Sequence, residues 1–354
     1  MKKRVVVAMS GGVDSSVAAA LLLKKRYEVI GITLKLWPKS LCGQKHLRSC
    51  CSLEDIEDAR KVAQQLNIPY YVLNIEKEFE KEVIDYFCQD YAQGRTPNPC
   101  IVCNQKIKFG TLLKKALELG ASYVATGHYA QVEFNKKIKR FIIKEGKDKT
   151  KDQSYVLFSL NQNQLTHCLF PLGNYLKRDI RRLALKLGLK PHQKPDSQEI
   201  CFVLNNDYHK FLKEKLKTIK SGYFIDQTGK ILGTHPGICF YTVGQRKGLG
   251  ALGKAMYVIS LNSFDNTITI GEEKDLARKE FLVSNLNWIV KPQKKIEARV
   301  KIRYNHPKAK AVIYLNDRNK AKVSFLAAQK AITPGQAAVF YKNDTVIGGG
   351  WIEK

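Results

Sequence analysis

The chain has 354 residues, with 60 Lys+Arg against 32 Asp+Glu and a formal net charge of +28. This length predicts a substantial core divided into two or three domains. The excess of positive charge favours a polyanionic partner, nucleic acid first. No apolar stretch approaches the length of about 18 residues that a membrane span requires.

The segment Met1-Lys2-Lys3-Arg4 is basic, as in a signal peptide, but the apolar run after it ends at Ser10, too early for an apolar signal core. We therefore expect a cytoplasmic protein without a membrane partner. Its nine cysteines should be mostly reduced there, and so available for chemistry or for metal.

A glycine-rich turn joins the first predicted strand to the first predicted helix, with the sequence Met9-Ser10-Gly11-Gly12-Val13-Asp14-Ser15-Ser16-Val17. Glycines let the backbone approach a phosphate, which the free N–H groups and the positive dipole end of the helix attract. A Walker loop would add a lysine here. This loop has Asp14 instead, and an acid beside phosphates is favourable mainly when Mg²⁺ lies between them. The pattern resembles the PP-loop of ATP pyrophosphatases, which split ATP between the α and β phosphates.

Strands and helices alternate through the first 130 residues. Predicted strands cover 5–8, 28–36, 70–75 and 123–126, with helices between them. This alternation predicts an α/β, Rossmann-like parallel sheet covered on both faces. Ligands bind such sheets at the carboxyl ends of the strands. The PP-loop and the segment Thr126-Gly127-His128-Tyr129 both leave strands at that edge.

The pattern changes beyond residue 130. A basic hairpin is predicted at 131–146, and helices resume at 162–169 and 175–187. After about residue 210, short alternating runs punctuated by glycine predict a small β module and then a β-barrel. The predicted domains are a PP-loop catalytic domain (1–210), a small β-rich central domain (211–278) and a C-terminal β-barrel (279–354).

Three cysteines lie in polar, turn-rich segments: Cys100, Cys103 and Cys201. A free thiol has a pKa of about 8.5, so it needs a helix N-terminus or a cation to become a good nucleophile at neutral pH. Cys103 precedes a predicted helix that carries Lys106 and Lys108, and it is therefore a candidate nucleophile. Cys88, Cys168 and Cys239 have apolar neighbours and are interpreted as residues that fill space in the core or near the surface.

Other uses of these cysteines stay open. The C-x-x-C pair at 100–103 is half a zinc site, and Cys201 supplies only a third ligand. Three cysteines can instead hold a [4Fe–4S] cluster with one iron open to substrate. A separate group, Cys42, His46, Cys50 and Cys51, has the residue types of a zinc site, although an ordinary loop is the simpler interpretation.

Six motifs occur in a fixed order: S-G-G-V-D-S-S, N-P-x-x-x-C-N, G-H-Y-A, D-Q-S-Y, D-S-x-x-I-C-F and Y-T-V-G-Q-R-K-G-L-G. With this set, the chain resembles the bacterial-type tRNA-specific 2-thiouridylases over nearly all its length. The resemblance implies an ATP-dependent tRNA-uridine 2-sulfurtransferase. That family thiolates C2 of the wobble uridine (U34) in the tRNAs for Lys, Glu and Gln.

The resemblance also implies roles for individual residues. The implied ATP-binding residues are Ala8, Met9, Ser10, Gly11, Gly12, Val13, Asp14, Ser15, Leu34 and Gly127. The family often has Met where this chain has Leu34, a change that keeps the apolar contact. The implied tRNA contacts are Asn98, Pro99 and Cys100 at the target base, with His128 beside that site, and elsewhere Lys151, Asp152, Gln153, Arg303, Tyr304 and Gln336.

By the same resemblance, Cys103 is the nucleophile and Cys201 carries a persulfide. Adenylation of the C2 oxygen makes AMP the leaving group, the outer sulfur of the persulfide attacks C2, and Cys103 then forms a transient disulfide with Cys201 that a reductant resets. An upstream sulfur carrier or cysteine desulfurase would supply the sulfur.

Cys100 departs from the family pattern, since many members have Asp there. It completes a three-cysteine set like that of cluster-dependent tRNA thiolation enzymes, so delivery of sulfur by a cluster stays open beside the persulfide relay. Another PP-loop ligase and a non-catalytic RNA-binding protein are the remaining alternatives. The segments 135–152 and 291–310 each hold eight Lys+Arg, which fits an RNA partner.

Overall fold

A computed structural model describes residues 2–36, 53–189, 200–250, 255–317 and 319–353. At Leu204 only the backbone is described. Their contacts divide the chain into two units. The first comprises Met1–Val83, Cys100–Asn206 and Asp344–Val346, and the second comprises Ile84–Pro99, Asp207–Asn343 and Ile347–Lys354. The candidate zinc ligands Cys42, His46, Cys50 and Cys51 lie outside the described residues, as does the part of the D-S-x-x-I-C-F motif before residue 200.

Five of the strands described for the first unit form one parallel sheet. The strands of this unit are β1 (Arg4–Ala8), β2 (Glu28–Lys35), β3 (Tyr70–Asn74), β4 (Tyr123–Ala125), β5 (Ala130–Asn135), β6 (Arg140–Glu145) and β7 (Cys168–Leu169). The sheet has the order β3-β2-β1-β4-β7, and its neighbouring strands are parallel. The predicted Rossmann-like sheet is confirmed.

Helical segments connect these strands. They are Val13–Lys24, Leu53–Gln65, Glu76–Phe79, a π-helical turn Glu80–Ile84, Pro99–Val102, a π-helical segment Cys103–Thr111, Leu112–Glu118, Ser154–Leu157, Gln162–Thr166, Lys177–Lys186 and Leu204–Asn206. Alanines and branched aliphatic side chains from three of the helices share one core with β1. In particular, the helix Lys177–Lys186 packs against the helix Val13–Lys24.

The predicted helix at 162–169 was too long. The helix ends at Thr166, and Cys168–Leu169 form β7, which pairs with Val124 and Ala125 of β4. Apolar residues in a short run do not distinguish a buried strand from the end of a helix, because only the pairing partner does so. The basic hairpin was predicted correctly: β5 and β6 are antiparallel, and β6 also pairs with Thr345 and Val346.

The second unit begins with the helix Asp85–Ala92 and continues with the helix Tyr208–Lys215. A four-stranded sheet follows, with β8 (Gly222–Ile225), β9 (Ile231–His235), β10 (Tyr257–Asn262) and β11 (Thr267–Gly271) in the order β10-β11-β8-β9. Short 3₁₀ turns cover Ile238–Phe240 and Glu273–Leu276. This sheet corresponds to the small β module expected from the glycine-punctuated runs.

The remaining strands form a closed barrel, which belongs to the second unit except for the first two residues of its last strand. They are β12 (Ala277–Trp288), β13 (Lys295–Lys301), β14 (Ala309–Leu315), β15 (Lys320–Lys330), β16 (Ala337–Lys342) and β17 (Thr345–Ile352). Their order is β12-β15-β14-β13-β16-β17, and β12 pairs with β17 to close it. Alternate residues point inward, and Val300, Ile313, Val323 and Phe340 are fully buried there. The expected β-barrel is confirmed.

Phe340→Ala tests the barrel core. The Phe340 side chain is 0% exposed, and its ring lies 5.6 Å from that of Trp288. Its truncation should lower the free energy of unfolding by about 3–5 kcal/mol, measured by urea titration with tryptophan fluorescence. Phe264, which is 95% exposed, is the control, and Phe264→Ala should change stability by less than about 0.5 kcal/mol. Equal effects of the two changes would contradict this account of the core.

Candidate active site

The PP-loop lies at the carboxyl edge of the parallel sheet. It leaves β1, and the helix Val13–Lys24 begins after Gly12. Gly11 has φ +71°, and a Cβ there would lie 2.3 Å from the carbonyl oxygen of Asp55. Gly127 follows the neighbouring strand β4, and a Cβ there would lie 2.9 Å from the carbonyl carbon of Asp14. Glycine is therefore required at both places, where the backbones touch.

Two side chains hold the carboxylate of Asp14. The hydroxyl of Tyr129 donates to Oδ1 at 2.7 Å, and Nζ of Lys177 donates to Oδ2 at 2.6 Å. Lys177 comes from the first turn of a helix that lies 163 positions further along the chain. The sequence offers no local signal for this contact, because the lysine reaches the loop only through the packing of two helices.

Other predicted nucleotide contacts lie around this loop. Hydroxyls of Ser15 and Ser16 donate to the carbonyl of Gly12, at 3.2 and 2.9 Å. Leu34 is buried near the carboxyl end of β2, the strand that pairs with β1. The loop, the end of β2 and Gly127 are thus brought to one edge of one sheet.

The carboxylate of Asp14 is consistent with Mg²⁺ that arrives with a nucleotide, because Mg²⁺ commonly takes one or two carboxylates together with phosphates and waters. Within the described residues, no group of three or more His, Cys, Asp or Glu side chains could hold a metal ion by itself. Asp14 would hold Mg²⁺ only together with phosphate oxygens.

The Cys103 and Cys201 segments pack on the same short helix. Cys103 begins the π-helical segment Cys103–Thr111, which contacts the helix Glu76–Phe79. The ring of Phe202, next to Cys201, meets the ring of Phe79 edge to face at 5.9 Å. Both cysteines are partly exposed. Two segments about 100 positions apart in sequence therefore contact the same helix.

Burial separates the other described thiols from these. Cys88, Cys168 and Cys239 are buried. Burial raises the pKa of the Cys88 and Cys239 thiols to about 11, and it raises the pKa of Cys168 well above its ordinary value. Because the thiolate is the nucleophile, these three cysteines are inert at neutral pH.

Several predicted tRNA contacts of the first unit are held inside it. His128 is buried between Phe109 and Phe170, with Nδ1 2.6 Å from the hydroxyl of Thr126. Burial, and secondly the charge of Lys108, hold the pKa of His128 well below its ordinary value, so the ring is neutral.

Asp152 and Gln153 fix the loop in which Lys151 lies. The buried carboxylate of Asp152 accepts hydrogen bonds from the backbone N–H groups of Gly146 and Ser154 and from the Ser154 hydroxyl. Burial raises the pKa of Asp152 despite these bonds. The side-chain oxygen of Gln153 accepts from the N–H of Tyr129 at 2.9 Å.

In the second unit, Gln336 holds the segment that leads to Asn98 and Pro99. Its side-chain amide donates to the carbonyls of Thr96 and Pro97, at 3.0 and 3.2 Å. Arg303 and Tyr304 are half-buried beside the barrel strand β13. Gln336 thus contacts the loop backbone, while Arg303 and Tyr304 are accessible in part.

Family models match three successive parts of the chain. Residues 3–205 match a "tRNA methyl transferase HUP domain", residues 209–272 a "tRNA methyl transferase PRC-barrel domain" and residues 278–352 an "Aminomethyltransferase beta-barrel domain". The chain is also 51% identical, over an alignment of 357 positions, to the "tRNA-specific 2-thiouridylase MnmA" of Acetivibrio thermocellus, and the alignment covers 99% of each chain. The chain belongs to the tRNA-specific 2-thiouridylase family.

Other relatives agree with this membership. The 2-thiouridylase of Carboxydothermus hydrogenoformans is 51% identical, and the alignment covers 100% of this chain and 98% of the relative. The 2-thiouridylase of Clostridioides difficile is 47% identical, and the alignment covers 100% of this chain and 99% of the relative. The expected enzyme class, an ATP-using tRNA-uridine 2-sulfurtransferase, is confirmed. Within the described residues, no helix of this 2-thiouridylase is long and apolar enough to cross a membrane.

Gly11→Ala tests the PP-loop geometry of this 2-thiouridylase. The new methyl group meets the backbone of Asp55 and is held at positive φ, so we expect a loss of about 2 kcal/mol or more in urea unfolding. Gly12 is the matched control, because its φ is −89° and the nearest atom to an added Cβ lies 3.5 Å away. Gly12→Ala should cost about 1 kcal/mol or less. A Gly11→Ala protein as stable as the wild type would rule out the described contact.

Thiol labelling tests the distinction between the accessible and the buried cysteines. Iodoacetamide at pH 7.5, read by peptide mass spectrometry, should alkylate Cys100, Cys103 and Cys201 in the folded protein. Cys88, Cys168 and Cys239 should react only after unfolding in urea, because burial raises their pKa values and blocks access. Alkylation of Cys168 in the folded protein at the rate of Cys100 would contradict this assignment.

Proposed function

We propose that this enzyme replaces the C2 oxygen of the wobble uridine (U34) in the tRNAs for Lys, Glu and Gln by sulfur. The relay uses a persulfide on Cys201, with Cys103 as the second cysteine. The observation that carries the proposal is the packing of the Cys103 and Phe202 segments on one short helix, in the unit that also contains the PP-loop.

In the first step, ATP binds at the PP-loop residues 8–15, with Leu34 and Gly127 around the adenosine. The helix beginning at Val13 points its positive dipole end and its first N–H groups at the phosphates. The C2 oxygen of the uridine attacks the α-phosphorus, the bond to the bridging α–β oxygen breaks, and pyrophosphate leaves with the electron pair. The uridine loses its N3 proton. Mg²⁺ arriving with ATP would offset the phosphate charge.

In the second step, the deprotonated outer sulfur of the Cys201 persulfide attacks C2. The C2–O bond breaks, and AMP leaves. Cys103, as the thiolate, then attacks the inner sulfur of Cys201, which forms the Cys103–Cys201 disulfide and releases 2-thiouridine, reprotonated at N3. A thiol reductant restores both cysteines, and a sulfur carrier or cysteine desulfurase reloads Cys201. Each cycle consumes one ATP and one persulfide sulfur.

Basic surfaces support the tRNA assignment. Lys151 lies in a loop whose backbone is fixed by Asp152 and Gln153, and Arg303 lies beside Tyr304 in the barrel unit. Cationic side chains such as Lys151 and Arg303 suit phosphate contacts, while Tyr304 suits stacking on a base. Asn98, Pro99 and Cys100 are proposed to face the target base, and His128 to lie beside it. Asp152, Gln153 and Gln336 are proposed to support these contacts by holding loops.

Cluster delivery of the sulfur is the second candidate for the same reaction. Cys100 is exposed one helical turn before Cys103, so the two thiols share one face of a helical stretch. Cys201 lies in the same unit. A [4Fe–4S] cluster would need all three cysteines as ligands and would leave one iron for sulfur, although these thiols do not form a metal-binding group in the described part of the chain.

Serine substitutions test the relay. Cys103→Ser and Cys201→Ser should lower 2-thiouridine formation at least about a thousandfold, because a hydroxyl neither carries the persulfide sulfur nor forms the disulfide. Affinity for tRNA should stay within about twofold. Cys168→Ser is the control, since its thiol donates only to the carbonyl of Gln164, which a hydroxyl does as well. Loss of tRNA binding in the first two variants would contradict their roles.

An iron assay separates the two candidates. The protein is purified anaerobically, and tRNA thiolation is measured with ATP and a persulfide donor, with and without bound iron. The relay predicts activity in iron-free protein and in Cys100→Ser. The cluster predicts activity only with about four irons per chain, and its loss in Cys100→Ser. Absence of tRNA-stimulated AMP formation in every sample would overturn both.

A further inference from the structure

The side chain of Lys177 is buried beside the PP-loop. Lys177 is 8% exposed, although lysines are seldom buried unless paired. Its Nζ lies 2.6 Å from Oδ2 of Asp14 and 5.7 Å from the ring centre of Tyr129, whose hydroxyl binds Oδ1 of the same carboxylate. The ammonium group is therefore fixed next to the helix N-terminus where phosphates are expected.

The backbone of Lys177 is fixed as well. Its N–H donates to Oδ2 of Asp148 at 2.9 Å, at the start of the helix Lys177–Lys186. Ile180 and Ala184 of this helix share a core with Val17 and Ala18 of the helix that follows the PP-loop. The small alanine side chains let the two helices approach closely, so packing delivers the lysine to the loop.

The chemistry of the loop calls for such a cation. ATP carries about four negative charges, and Asp14 adds another to a loop that lacks the lysine of a Walker motif. We propose that Lys177 binds the β and γ phosphates of ATP and stabilises the departing pyrophosphate. This inference rests on the proposed use of ATP at the PP-loop. An ammonium has three N–H donors, so it can bridge Asp14 and phosphate oxygens.

In the adenylation step, negative charge collects on the bridging oxygen as the α–β bond breaks. The ammonium donates a hydrogen bond to that oxygen or its neighbours, and no proton has to be transferred. A charge-assisted contact that strengthens as the charge develops accelerates the step. Asp14 then acts also as the group that orients Lys177 before the nucleotide binds.

Lys177→Met keeps an unbranched side chain, shorter by one atom, and removes its charge. In the full-length protein with Mg²⁺, calorimetry should show affinities for inorganic pyrophosphate and ATP about ten- to a hundredfold weaker, and affinity for AMP within about twofold of wild type. The matched control is Lys186→Met, at the exposed end of the same helix, which should leave all three affinities unchanged. Unchanged pyrophosphate affinity in Lys177→Met would overturn the proposal.

A double variant excludes an indirect effect. In Lys177→Met alone, an unpaired Asp14 could repel phosphates or disturb folding, so thermal melting is recorded and Asp14→Asn and Asp14→Asn/Lys177→Met are also measured. A direct contact predicts that the double variant binds pyrophosphate at least about tenfold more weakly than Asp14→Asn. Equal affinities of these two would overturn the contact. A wild-type protein that binds neither ATP nor pyrophosphate would refute the proposed function together with this inference.

Discussion

The carboxylate of Asp14 ties together three segments that are distant in sequence. The PP-loop supplies the carboxylate, Tyr129 comes from the segment after β4, and Lys177 begins a later helix. Each contact depends on a different level of structure: the parallel pairing of β1 with β4 places Tyr129, and the packing of two helices places Lys177. The electrostatics of the loop therefore follow from the whole α/β unit rather than from the glycine motif alone.

Burial is the physical variable that sorts the cysteines. A thiol enclosed by apolar side chains loses the solvation of its thiolate, and for that reason the pKa values of Cys88, Cys168 and Cys239 rise. Cys100, Cys103 and Cys201 keep contact with solvent. Reaction with a large substrate such as tRNA requires this accessibility, since a buried thiol can reach neither a base nor a sulfur donor.

The parts of the fold predicted from sequence were those encoded by local pattern. Alternating apolar runs predicted the parallel sheet, and the motif with Gly11 and Gly12 predicted a tight turn between a strand and a helix, because period and glycine position are local properties. The end of the helix at Thr166 and the strand β7 could not be predicted in this way, since they depend on the edge of β4. Lys177 was missed for the same reason. The sequence shows that Lys177 is charged, but it does not show that this side chain lies beside Asp14.

The loop at 146–153 makes two bonds to the groups around Asp14. Asp148 accepts from the N–H of Lys177, and Gln153 accepts from the N–H of Tyr129. Both partners of the Asp14 carboxylate are therefore bonded to the loop that carries Lys151. If RNA phosphates shift this loop, they shift the groups that hold Asp14, and thermodynamic linkage requires any resulting change in affinity to be reciprocal between ATP and tRNA. The basic loop and the PP-loop are thus joined by hydrogen bonds through Tyr129 and Lys177, the two residues that hold the Asp14 carboxylate.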